Sequence, residues 1–304
     1  MNNNLVPDFL GIGATKSGTS WLYVVLKEHP DIWMPFVKEL HYFDRSIDYP
    51  SPSFLASDRL LKRIIGREKH NKHFRGLLAM ALKRNICKPN WGQLCWDTKF
   101  YLGNYNDQWY MSLFDQGKHK IKGEITPGYS LLELPDVKHI HKIMPNVKVI
   151  YFLRNPVDRM WSGLRYTNRA DLPFNKIKEI VDRKGRNLRG NYLRTISTWR
   201  TYFKENQFFI GFYDEIQQNP RSLLLRLFNF LGVESEEKHI SQSAYHRVNT
   251  SKPKEIPEKL KVFLTMKYFA QIKELSKLVG GYSKNWLEVA EATLRDAGQD
   301  ALVK

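Results

Sequence analysis

The sequence predicts an α/β protein in three layers, with a central parallel sheet flanked by helices. Three observations lead there. Four short runs, "DFLGIG" (8–13), "KIKGEI" (120–125), "VKVIYFLRNP" (147–156) and "QFFIGFYDEI" (207–216), are rich in apolar, β-branched and aromatic residues. Helix-like stretches separate them, and apolar runs divided by helices indicate a parallel sheet covered on both faces. The first run ends in glycines and passes directly into a helical pattern, as a strand entering a tight turn does.

"DFLGIG" reads as a buried strand. "SGTSWLYVVLKEHP" follows as a helix, with small hydroxyl residues at its start and Pro30 just beyond its end. Residues 45–116 break the rhythm: "DYPSPS" is a loop, a basic segment follows, and then the aromatic "NWGQLCWDTKFYLGNYNDQWYMSLF". We read this stretch as an insertion packed on the core of one domain spanning 1–304. The three later strands alternate with helices. The last part, 254–304, is helical, and its amphipathic "EKLKVFLTMKYFAQIKELSKLVG" is closed by Gly280-Gly281. No repeat and no low-complexity tract interrupts the chain.

The 304 residues carry a formal charge of +17, which favours an anionic partner. The excess is uneven, since Arg59 to Lys88 holds ten Lys/Arg against the single acid Glu68. That segment reads equally as a solvated helical surface or as an anion-binding face. Cys87 and Cys95 have neither metal-ligand nor disulfide-framework spacing, which suits a reducing compartment. "MNNNLVPDFLGIGATK" lacks the pattern of a secretory signal, and no run approaches the ~20 apolar residues of a membrane span. The expectation is a cytoplasmic protein without stable membrane insertion. Asn249-Thr250-Ser251 fits a glycosylation acceptor, which that setting makes incidental.

"GIGATKSGTSWL" (11–22) nearly matches the phosphate-cradling pattern G-x-x-x-x-G-K-[ST]. Gly13 and Gly18 have the required separation, but Thr19 takes the lysine position and Lys16 lies inside the loop. The fold is then P-loop-like. A helix N-terminus offers unpaired amides and about half a positive charge. The amides of Ser17, Gly18, Thr19 and Ser20, with the hydroxyls of Thr19 and Ser20, suit a phosphate. A lysine within the loop leans over a group nearer the strand, where it neutralises charge on an oxygen that is leaving. The plainer alternative is a turn that only needs its glycines.

In "YFLRNPVDRMWSGLRY" (151–166) a strand delivers Arg154 at its C-terminal end, Asn155 and Pro156 start a helix, and Ser162 lies two turns on. An arginine fork beside a hydroxyl suits a second, terminal phosphate; a surface ion pair is the other reading. A nucleoside triphosphatase would carry an acid at a strand end, and Asp214 is the one candidate. In "KELHYFD" (38–44), Glu39 and His41 share a face if the segment is extended, so one could take a proton from an acceptor. "GEITPGYS" (123–130) ends a strand on an acid followed by a Thr-Pro turn.

In this order the segments resemble the sulfotransferases that use 3′-phosphoadenosine 5′-phosphosulfate (PAPS), above all the branch of heparan sulfate glucosaminyl sulfotransferases and their bacterial relatives. "TKSGTSWL" looks like that family's 5′-phosphosulfate loop and "FLRNPVDRMWSGLRY" like its 3′-phosphate element. "GEITPGY", "FYDEIQQNPRSLLLRLFNFLGV" and "VNTSKPKEIP" resemble further landmarks. The resemblance implies that Lys16 stabilises the departing oxygen and that Ser17, Gly18, Thr19 and Ser20 bind the 5′-phosphate. Arg154 and Ser162 would bind the 3′-phosphate, and Lys252 would close over the donor. Glu39 matches the base of the heparan branch, and His41, by analogy with the phenol and steroid branch, is the second candidate. The product would be 3′,5′-adenosine diphosphate, and the chemistry needs no metal. Ile125 stands where the glucosaminyl 3-O enzymes carry a lysine, which points to a bacterial-type enzyme with another hydroxyl or amine acceptor, a glycan among the options.

Two other readings compete. A P-loop kinase or nucleotide phosphotransferase would use a similar sheet, but the displaced lysine and Arg154 count against it. A non-enzymatic polyanion-binding protein could use the basic 59–88 segment for nucleic acid or an acidic membrane, although that segment lacks a regular aromatic interleave and a nucleic-acid module, and nucleic acid is not an expected partner.

Overall fold

The computed structural model describes residues 6–46, 49, 57–246 and 254–298. Five strands, β1 (Phe9–Gly13), β2 (Ile32–Trp33), β3 (Ile121–Ile125), β4 (Lys148–Leu153) and β5 (Phe208–Phe212), form one parallel sheet in the order β2-β3-β1-β4-β5. Four of these are the strands read from the sequence. β2 is a two-residue edge strand in "DIWM", too short to show any periodicity.

The helices are α1 (Thr19–Glu28), α2 (Leu60–Ile65), α3 (Lys69–Cys87), α4 (Trp91–Leu102), α5 (Asp107–Ser112), α6 (Leu134–Ile143) and α7 (Pro156–Tyr166), followed by α8 (Phe174–Val181), α9 (Lys184–Gly190), α10 (Tyr192–Arg200), α11 (Tyr213–Gln218), α12 (Pro220–Leu231), α13 (Glu258–Leu278) and α14 (Tyr282–Asp296). Gly280 and Gly281 do close the amphipathic tail helix, with φ of 62° and 54°, but the chain then turns back as α14, which packs along α13. No helix among the described residues is long and apolar enough to cross a membrane.

β4 shows why its sequence is apolar at every position after Lys148. Val149, Tyr151 and Leu153 enter one core, with Trp96, Tyr110, Trp199 and residues of α13 and α14. Ile150 and Phe152 enter the other, against Trp21, Leu22 and Leu26 of α1 and Leu223 and Leu227 of α12. Alternate side chains of a strand point to opposite faces, so a strand covered on both sides turns every side chain toward a core and favours apolar residues throughout. The aromatic half of the 45–116 stretch therefore contributes core, with Trp96, Phe100, Trp109, Tyr110 and Phe114 all buried.

The order of the strands positions the site. β1 lies between β3, reached first through the edge strand β2, and β4 on its other side. The crossovers change direction at β1, and in open parallel sheets a crevice forms at such a point, beyond the strand C-termini. The turns after β1, β3 and β4 meet on that rim.

Candidate active site

The turn leaving β1 is shaped by its two glycines. Gly13 has φ +144° and a Cβ there would stand 3.2 Å from both Ser130 Cβ and the Tyr151 ring. Gly18 caps α1 with φ +92°, and a Cβ would approach Ile216 Cδ1 to 2.3 Å. Ser17 is fully buried, Thr19 is buried, and Ser20 lies half-exposed in the first turn of α1. That turn holds no acidic residue and no side chain caps it, so its leading amides face the rim with their helix-end partial charge.

Lys16 stands over this turn. Its Nζ lies 4.0 Å from the centre of the Tyr166 ring, at the end of α7. Burial lowers the Lys16 pKa, and the nearby Arg154 and Arg165 charges lower it further. Arg154 follows β4, donates from Nη1 to the Lys16 carbonyl at 3.2 Å, and stacks its guanidinium 4.2 Å over Tyr213. The Arg154 carbonyl accepts from the Tyr192 hydroxyl at 2.8 Å. Asn155 caps α7 through the Val157 amide, with Pro156 in its first turn, as the sequence implied. Ser162, half-buried, precedes Tyr166 by one turn on the same face of α7. The structure thus brings Lys16, Arg154 and the Ser162–Tyr166 face of α7 together. Lys252 lies outside the described residues.

The cluster fits an anion on grounds of charge alone. The charges acting on Lys16 are both positive, and open amides of α1 adjoin them, so a bound phosphate would relieve a repulsion present in the free protein.

Glu39 and His41 do meet, but not through extended alternation. Both have positive φ, 69° and 55°, in an irregular segment. Among the described residues four non-glycines have positive φ, and three of them are Lys16, Glu39 and His41; strained backbone of this kind concentrates at functional sites. His41 Nε2 lies 3.5 Å from Glu39 Oε2, and Nδ1 lies 2.8 Å from Asp44 Oδ2. Lys38 pairs with the other Glu39 oxygen. Burial alone would raise the Glu39 carboxyl, but the His41 hydrogen bond and the Lys38 ammonium outweigh it and hold the pKa at about 2. Burial would likewise lower His41, but Asp44, by charge and hydrogen bond, and then Glu39 push it up to about 10.

What fixes this segment is Glu124, at the end of β3. It is buried, and its carboxyl accepts from Tyr110 (2.7 Å) and Tyr129 (2.8 Å) on one oxygen and from Thr126 (2.6 Å) and the Leu40 amide (3.3 Å) on the other. Burial raises its pKa against these four donors. The Tyr42 amide donates to the Tyr129 hydroxyl at 3.1 Å. A Cβ at Gly128 would fall 2.1 Å from Asp44 Oδ2, so only glycine there leaves Asp44 room beside His41. "GEITPGY" is therefore the seat of the 38–44 segment. Sequence reading marked it as a turn and missed its partners Tyr110 and Asp44. Proximity of Asp44 to His41 in sequence was the one available signal. Ile125 points the other way, into the core beside Gly11, and does not line the cleft. Asp214 accepts from Trp286 Nε1 at 3.1 Å and serves to tie α11 to α14.

A family model described as "Sulfotransferase domain" matches residues 6–291. Among solved structures, a sulfotransferase from Alicyclobacillus acidocaldarius is 22% identical, with 92% of this chain and 98% of that one covered at a TM-score of 0.62. The sulfotransferase domain of the Synechococcus PCC 7002 olefin synthase is 18% identical, with 86% and 94% covered at a TM-score of 0.53. At these identities the likeness concerns the fold. None of the curated proteins matches the chain. Because the family model spans nearly all of the sequence, the chain belongs to the sulfotransferase domain family, and the protein is a transferase of that class.

Proposed function

We propose that this protein moves a sulfuryl group from PAPS to a hydroxyl of an acceptor, using the β1–α1 turn for the 5′-phosphate and the Arg154–α7 element for the 3′-phosphate. The observation that carries this reading is the bond from Arg154 to the Lys16 carbonyl, which joins two cationic elements from different strands at one rim. PAPS, when bound, supplies a sulfuryl group already attached to a good leaving group. The amides of Gly18, Thr19 and Ser20 hold the 5′-phosphate, and the Lys16 ammonium faces the oxygen that acquires charge. Arg154, pinned by Tyr213 and Tyr192, presents its fork to the 3′-phosphate together with Ser162. Lys252 is the proposed closing contact.

Glu39 removes the acceptor proton. As the new S–O bond forms at the acceptor oxygen, the electron pair of the breaking S–O bond stays on the 5′-phosphate, and the hydroxyl proton passes to the carboxylate. His41, held cationic between Glu39 and Asp44, has no free lone pair to accept that proton and instead orients Glu39. A carboxyl held at about 2 is a weak base, so acceptor binding that parts Lys38 from Glu39 strengthens it. The cations and amides meet the charge requirement without a metal. Asp214 is engaged by Trp286, which counts against a kinase-type role for it. Exposed free Cys87 and Cys95 support a cytoplasmic setting.

The test is incubation with labelled PAPS and a panel of glycans, phenols and lipids, alongside calorimetry with 3′,5′-adenosine diphosphate. Expected are a labelled product and tight nucleotide binding that Arg154→Ala weakens. Absence of nucleotide binding would sink the proposal. Normal turnover by Glu39→Ala would remove Glu39 as the base.

A further inference from the structure

The part of the 45–116 stretch that does not enter the core has an unusual surface. Among the described residues sixteen large apolar side chains are exposed, and nine of them fall between Leu61 and Leu102. Trp91 is 82% exposed, Ile86 79% and Ile65 74%, with Leu61, Met80 and Leu82 also well exposed. They sit on α2, α3 and the start of α4, with α2 packed on α3 and α3 on α4.

α3 makes the point clearly. Its inner face buries Phe74 and Ala81 and half-buries Leu77 and Leu78. At 100° per residue the solvent side takes Lys69, Lys72, Met80, Lys83 and Ile86 together. A helix whose outer face serves only water has no reason to place Met80 and Ile86 there. A shallow groove of about 340 Å³ runs along that side, lined by Met80, Lys83, Arg84, Cys87 and Lys88.

The same surface carries the charge. Of the ten cations between Arg59 and Lys88, only Arg63 is buried, and Lys62, Lys69, Lys72, Lys83 and Lys88 form no ion pair with a described residue. Cations interleaved with exposed aliphatic residues and an exposed tryptophan match an anionic lipid interface. There the ammonium groups meet headgroups while Ile86 and Trp91 enter the acyl boundary. Another copy of this chain would bring a like-charged face against it. A nucleic acid would satisfy the lysines but leave Leu61, Ile65 and Ile86 against phosphate.

We propose that the α2–α4 surface docks the protein peripherally on an anionic membrane. This reading does not depend on the identity of the donor or of the catalytic base. It is tested by flotation of the whole protein with vesicles of equimolar phosphatidylcholine and phosphatidylglycerol, and with pure phosphatidylcholine. Binding is expected to the anionic vesicles only. Ile86→Glu combined with Trp91→Glu should weaken it about ten-fold or more, and Lys83→Ala about five-fold. An unchanged unfolding temperature and far-UV circular dichroism spectrum show that a variant is folded. If the double variant unfolds, Lys72→Ala with Lys83→Ala carries the test, since both positions are exposed. The proposal is overturned by equal binding to both vesicles, by unchanged binding of the variants, or by binding of duplex DNA or RNA without binding of vesicles. It is overturned equally if sedimentation shows a dimer that Ile86→Glu dissociates.

Discussion

The Gly13–Gly18 turn and the Lys38–Asp44 segment both run through left-handed backbone, yet they hold it by different means. The turn places most of the unusual φ on glycines, at 144° and 92°, with Lys16 alone at 70° between them. Its shape follows largely from its own residues and from the helix it starts, with one long-range bond, from Arg154 to the Lys16 carbonyl. The Lys38–Asp44 segment puts φ of 69° and 55° on Glu39 and His41, each costing on the order of 1–3 kcal/mol where nothing else enforces it. That cost is offset mainly from outside, by Glu124 on the Leu40 amide and Tyr129 on the Tyr42 amide, while Asp44 within the segment holds His41. One element is locally encoded; the other is assembled by distant parts of the chain. Donor binding is thus expected to depend on short-range sequence, and acceptor chemistry on the buried network around Glu124.

The largest effect is expected in the turn. Lys16→Ala should lower kcat by about 10²–10³-fold with little change in unfolding temperature, because it removes charge stabilisation and only one partly exposed contact, with the Tyr166 ring. A matching loss of fold stability would mean that the turn is not locally encoded. In the other region Glu124→Gln should cost about 1–3 kcal/mol in denaturant unfolding. It should also raise the KM for acceptor while nucleotide affinity stays constant. An equal loss of nucleotide binding would erase the contrast between the two regions. Gly18→Ala should weaken nucleotide binding and cost about 1–3 kcal/mol, since its φ of +92° strains any side chain and its Cβ meets Ile216.

The remaining prediction is a pH dependence. His41 has a folded pKa of about 10, above its ordinary value. Its contribution is therefore full below the unfolded-state value of about 6.5 and is lost as pH rises toward 10. Stability of the native protein should decline across that window, and His41→Gln should flatten the decline. Glu39, held at about 2, stays ionised over the same range and adds no slope there. A native profile already flat from neutral to alkaline pH would show that His41 is not held as an imidazolium.

Legibility follows the same division. The strand in "VKVIYFL", the capped start of α7 at Asn155-Pro156 and the glycine spacing around Lys16 are local patterns, and each appears in the structure where the residues imply it. The pairing of Glu39 with His41 was legible, but its geometry was not, because an extended segment and a kinked one both bring i and i+2 side chains near each other. Tyr110 gave no signal at all. It lies far along the chain from Leu40 and has no periodic relation to Glu124 or Tyr129, and only packing of α5 against the sheet brings its hydroxyl to Glu124.

By itself the sequence determined the parallel sheet, the glycine turn ahead of α1 and the family, because strand burial, helix starts and glycine backbone are set by residues within one or two turns of each other. Only the tertiary structure decided that Arg154 closes on Lys16, that Glu124 holds the 38–44 segment and that α2–α4 expose an apolar, cationic surface. Each of these depends on which side chains become neighbours or stay uncovered once the layers pack. Contacts between segments a hundred residues apart leave no periodic trace in the chain.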